Sequence, residues 1–160
     1  MSPRPGTKPY TVASTAPQPA IYDTHRGVLT AVRDELEILA VEVKIDQPWP
    51  ADVAWAIQAL QPHRTRRRSL LTRRPKPTEI SDDLDPADDH DFAIALALVR
   101  YTTSATGITR DGHVVYSTYD GLREDHFELT EAEHALATSY MATHGADPAL
   151  LIQNPAWPPR

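Results

Sequence analysis

Between Arg64 and Asp91 the charge of this chain inverts, and that inversion limits what the chain can fold into more than any other feature. Arg64, Arg66, Arg67, Arg68, Arg73, Arg74 and Lys76 come with no acid among them; Glu79, Asp82, Asp83, Asp85, Asp88, Asp89 and Asp91 follow with no lysine or arginine. A block of like charges repels itself and resists packing, so the stretch reads as a solvated connector, residues 62–84, that seeks an oppositely charged partner. The seven positive and seven negative charges cancel within the tract, and the net charge of −6 therefore belongs to the rest of the chain. An acidic body repels phosphate, which confines any nucleic-acid contact to the seven basic residues.

On either side of the connector, 160 residues with 41% hydrophobic content are enough for one modest core and too few for two. The expected organisation is a disordered Pro-rich arm over residues 1–20, a single α+β domain over 21–153 and a Pro-rich tail over 154–160. Five prolines in the first 20 residues remove backbone donors and leave little apolar surface to offset ordering. Trp157 in the tail is a candidate anchor, on its own domain by the simpler reading or on a partner, because an aromatic side chain buries a large area when it docks.

Asp23 or Thr24 is placed to cap a helix, and Val28, Leu29, Val32, Leu36, Leu39 and Val43 then recur at spacings of three and four. The pattern predicts one helix to about Lys44, a second from Pro50 to Gln61, and a helical hairpin from the pair. Pro62 is expected to end the second helix. Asp85-Pro86 looks like a helix start leading into Phe92–Val99, whose alternation also fits a strand, so 92–101 is a buried helix or strand. Asp111-Gly112 between β-formers predicts a hairpin, with a further turn at Asp120-Gly121 and a short strand near Phe127 and Leu129. Thr130 and Glu133 match a capping box, which opens a last helix closed by Gly145.

Chemistry-bearing patterns are sparse. The chain has no cysteine, which removes disulfides, thiolate metal sites and a cysteine nucleophile and fits a reducing compartment. With no long apolar run and no signal-like N-terminus, a soluble cytoplasmic protein without membrane contact is expected. Thirteen arginines against three lysines suggest a high-GC bacterium, a reading that weakens the case for each arginine as a phosphate ligand. Glu131 and His134 have the spacing of a carboxylate-bridged di-iron motif, but a second copy is missing and helix capping accounts for the acids. His90 among Asp88, Asp89 and Asp91 lacks a glycine-containing calcium loop. Neither a metal nor a cofactor is expected, no nucleophile elbow or phosphate loop occurs, and no catalytic residue is assigned.

The function expected is thus a non-enzymatic interaction protein, an adaptor or accessory subunit of a larger assembly that uses the charged connector for contact. The alternative is a DNA-binding regulator of helix-turn-helix or winged-helix type with the arginine arm on the phosphate backbone; Pro50–Gln61 has no arginine to read guanine. Ion pairs within the tract are worth about 2–4 kcal/mol together, against about 5.5–8 kcal/mol for nonspecific DNA binding, so the acids weaken such binding without abolishing it. A small enzyme would need a cleft that gathers Tyr, His and acidic residues from distant segments.

Overall fold

Residues 3–46, 48–67 and 79–154 are described by a computed structural model. Alternation of inward and outward side chains builds its main layer, a seven-stranded antiparallel sheet: β1 (Lys8–Val12), β2 (Leu36–Lys44), β3 (Glu79–Leu84), β4 (Thr102–Thr109), β5 (Val114–Tyr119), β6 (Glu124–Leu129) and β7 (Leu151–Gln153). The strands lie side by side in the order β3-β2-β4-β5-β6-β1-β7. Four helices join them: α1 (Gln18–Val32), α2 (Ala54–Arg67), α3 (Asp89–Leu98) and α4 (Glu131–Thr143). The fold class is α+β, as the sequence implies.

One face of the sheet meets the helices. On β2, Leu39, Val41 and Val43 are buried and stand opposite Leu84, Asp82 and Ile80 of β3. The same layer continues through Ala105, Tyr116, Phe127 and Leu129 and is covered by Val28, Leu29 and Val32 of α1, Ile57 and Leu60 of α2, Ile94 and Leu98 of α3, and Met141 of α4. Burying a side chain of this size stabilises by about 1.5–3 kcal/mol, so this layer holds the fold together. The helices α1 and α4 pack closely because position 27 is glycine. A Cβ built there meets the Ala137 carbonyl oxygen at 2.9 Å.

Several expectations about local structure are corrected. The helix predicted from residue 24 to 44 is α1, a 3-10 turn at Arg33–Glu35 and the strand β2. Leu39 and Val43 are four apart, a spacing that satisfies a helix and also a strand face, and the β-branched residues Val41 and Val43 decide for the strand. A strand therefore separates α1 from α2, and no helical hairpin or helix-turn-helix forms from that pair. Helix α2 runs through Pro62 to Arg67, since a proline removes one backbone hydrogen bond without forcing the chain to stop.

The arm expected to be disordered contains β1, which pairs with β6 and β7, and the first turn of α1. Arg4 anchors it: its backbone amide donates to Glu128 Oε2 at 3.0 Å, and its guanidinium donates to the Glu133 carboxylate and the Glu128 carbonyl. The connector expected at 62–84 includes the last turns of α2 and the whole of β3. Helix α3 begins one turn later than expected, with Asp88 as its cap accepting from the Asp91 amide at 2.9 Å.

Other signals act as read. Segment 92–98 is helical. Asp111-Gly112 turns β4 into β5, Gly112 taking a φ of +82° that the turn requires and glycine tolerates. Thr130 and Glu133 form the full capping box of α4, and Gly145, at φ +82°, follows its end.

Candidate functional site

Three polar side chains from distant segments converge beneath α1. His25, on the apolar stripe of α1, places Nδ1 2.8 Å from the Tyr116 hydroxyl of β5 and its ring edge-on to Phe127 of β6. Its Nε2 lies 3.6 Å from Oδ2 of Asp125, also on β6. Burial, and secondly the charge of Asp125, push the Tyr116 phenol above its ordinary range, so it remains a neutral hydrogen-bonding group.

Asp125 stands where two strands part. Pairing of β1 with β6 ends at Tyr10 and Phe127, beyond which β1 continues along β7. At that fork Asp125 Oδ1 accepts from the Val12 amide at 2.9 Å and from the Thr11 hydroxyl at 2.5 Å. The carboxylate thus takes over the amide that the ladder releases. It also lines a cavity of about 330 Å³ bounded by Val12, Ser14, Ile21, Tyr22 and Leu122.

This arrangement partly meets the cleft condition set for an enzyme: Tyr, His and an acid are gathered from far apart. His25 and Tyr116, however, are 0% and 1% exposed, so substrate reaches neither. What the chain of contacts does is join α1 to β5 through one buried hydrogen bond and bring His25 beside Asp125 and Phe127 of β6, which favours one arrangement of the core.

The second feature is the sheet face turned away from the helices. The register places Ile38, Ala40 and Glu42 of β2 beside Asp83 and Ser81 of β3 and Ile108, Thr106 and Ser104 of β4. Ser117, His126 and Glu128 follow on the same face but are buried, and beyond them come Ile152 of β7 and, at the far end of β5, Tyr119. Ile38 is 39% exposed, Tyr119 51% and Ile152 42%. A solvated antiparallel face normally carries polar residues at outward positions, and here these partly exposed apolar groups stand among Glu42, Asp83 and Glu124.

Of the basic residues expected to bind a partner, Arg64, Arg66 and Arg67 belong to the last turns of α2. Arg68, Arg73, Arg74, Lys76 and Trp157 lie outside the described residues. The acids that follow have local work. Asp85 accepts from the Ala87 amide, Asp88 caps α3, Asp91 accepts from the Asp85 amide, and Asp89 pairs with Arg33 at 2.6 Å. Asp82 is buried on the helix side, and its carboxylate accepts from the Asp83 amide.

Among the described residues no group of three or more His, Asp or Glu side chains is arranged to hold a metal ion. His134 stacks on Tyr10 with ring centroids 4.6 Å apart, and His90 lies against Trp55. Sequence reasoning did not single out His25, Tyr116 or Asp125. A signal existed for the first: residues 25, 28, 29 and 32 share one helical face, which puts a histidine in an apolar stripe. The others depend on the fork between β1 and β6, which no local pattern encodes.

No helix of the described residues is long and apolar enough to cross a membrane. The chain matches no family model, and no curated protein or solved structure is significantly similar to it.

Proposed function

We propose that this chain is a non-enzymatic interaction protein, an adaptor or accessory subunit of a larger protein assembly, acting in the cytoplasm. The observation that carries the reading is the sheet face turned away from the helices, where Ile38, Tyr119 and Ile152 stay partly exposed around the buried Ser117 and His126, with Glu42, Asp83 and Glu124 beside them. The fitting partner is a protein that presents apolar side chains ringed by basic groups, because complementary charge guides encounter while apolar contact holds the complex. The arginine-rich connector, Arg64 to Lys76, serves as a second contact for an acidic patch on the same assembly. The absence of cysteine agrees with a reducing compartment.

A titration with random duplex DNA over a range of salt tests the reading, using the intact chain and a chain with the seven basic residues neutralised. The proposal expects at most weak binding at low salt, with a shallow salt slope that neutralising the seven residues leaves nearly unchanged. A steep salt slope that flattens in the neutralised chain overturns it in favour of a nucleic-acid role for the arm.

A further inference from the structure

The sheet face turned away from the helices is not evenly open. Towards β2 and β4, Ala40, Glu42, Ser104 and Thr106 are half-buried, as outward positions of a solvated antiparallel sheet are. On β5 and β6, Ser117, His126 and Glu128 are only 7%, 5% and 8% exposed on the same face, although the helices of the described residues pack on the other one. Arg4 accounts for part of the cover on Glu128, to which its amide donates. Ser117 and His126 stand level in the ladder, and side chains project from a sheet roughly at right angles, so neighbours flank an imidazole without capping it. Burial this deep and this local points to a segment lying over His126.

The stretch within reach is the one that follows β7. Strands lie in the order β6-β1-β7, and Pro9 of β1 is level with Glu128 on one side while its carbonyl accepts from the Asn154 amide at 2.8 Å on the other. Two strand spacings put Asn154 about 10 Å from Glu128, and His126, one pleat along β6, about 12 Å away. Three extended residues span about 10 Å, so Trp157 arrives beside His126 with the length of its indole to spare. The arginine-rich connector is worse placed, since it leads into β3 at the opposite edge of the sheet, about 19 Å from β6. Composition agrees with geometry. Residues 155–160 read Pro-Ala-Trp-Pro-Pro-Arg: three prolines favour an extended backbone that loses little entropy on docking, the indole supplies area to cover an imidazole, and Arg160 brings a cation to a face that holds Glu124 and Glu128.

We infer that residues 155–160 fold back across β1 onto this face, with Trp157 over His126 and Ser117, and act as an intramolecular cover for its β5–β6 half. The β2–β4 half, with Ile38 and Ile108, stays open. A partner that binds across β5 and β6 has to displace the tryptophan first, so the tail sets how much of the face a partner can use. The inference does not depend on the adaptor reading, because the tail covers His126 with or without a partner.

Footprinting of the full chain with diethyl pyrocarbonate, which acylates accessible imidazole nitrogens, tests the inference when each histidine is followed by mass spectrometry at pH 7. Exposed His90 reports the reagent and core His25 reports global unfolding. In the native chain His126 should react far more slowly than His90. Trp157→Ala should raise the His126 rate at least about fivefold and leave His90 and His25 unchanged, because only the local cover is lost. Trp157→Phe, which keeps an aromatic ring, should return most of the protection. A His126 rate that Trp157→Ala does not change, or that rises only together with that of His25, overturns the inference. No partner enters the measurement, so its outcome is separate from that of the adaptor reading.

Discussion

His25 on α1 holds the hydroxyl of Tyr116 on β5 at 2.8 Å inside the core, where neither side chain meets solvent. The contact joins helix to sheet by a polar bond in an apolar layer. Tyr116→Phe removes the hydroxyl with almost no change in volume and leaves His25 Nδ1 buried without a partner. The expected loss is about 1–3 kcal/mol, measured by urea unfolding. A loss below a few tenths of a kcal/mol would show that the bond does not help hold α1.

Arg4 makes the N-terminal segment part of the domain. Its guanidinium meets Glu133 at the start of α4 and the Glu128 carbonyl, with 12% of its side chain and 10% of Glu133's exposed. Arg4→Ala should cost about 1.5–3 kcal/mol, the range for hydrogen bonds to charged groups. Amide exchange over Lys8–Val12 should accelerate with it. An unchanged midpoint and unchanged exchange would return the segment to the status of a loose arm.

Two glycines separate steric from conformational need. Gly27→Ala forces a methyl to 2.9 Å from the Ala137 carbonyl, a backbone atom that moves only if α1 and α4 part, and should cost about 1–3 kcal/mol despite alanine's better helix propensity. Gly121→Ala meets nothing within 4 Å but must hold φ at +65°, so about 1–2 kcal/mol is expected from the backbone alone. Thermal melts of both variants check this.

Acid sensitivity should trace to His126. Burial holds its pKa below the ordinary 6.5, against the opposing pull of Glu128, whose Oε1 is 3.7 Å from Nε2, and of Asp125. The unfolded chain therefore takes up the proton first, and stability falls as pH drops from about 6.5 towards the lowered folded value. His126→Gln should flatten the dependence of the melting midpoint on pH between 7 and 5. An identical slope in the variant would assign the effect to other groups.

Local signals in the sequence were legible where one residue determines the geometry. Gly112 and Gly145 mark real chain reversals, Thr130 and Glu133 open a real helix, and the α+β class follows from them. The charge tract misled for a physical reason: its acidic half reads as a solvated run, yet Ile80 and Leu84 alternate with polar residues and enter the core as strand β3. Pro9 and the prolines around it suggested an arm, but Tyr10 and Val12 gain apolar burial only once β6 and β7 are in place, and that partnership is non-local. The same holds for the site. His25 was visible as a polar interruption of a helical stripe, whereas Asp125 gains its meaning from a fork between strands more than 110 residues apart in sequence.

The most direct test of the proposed role is affinity capture with three tagged chains: the native one, Ile38→Lys with Ile108→Lys on the uncovered face, and the chain with its seven basic residues neutralised. Circular dichroism first confirms that all three are folded. The account predicts that the face variant loses the captured protein partner, while the neutralised chain retains it with weaker, less salt-dependent binding. Undiminished capture by a folded Ile38→Lys, Ile108→Lys chain contradicts it.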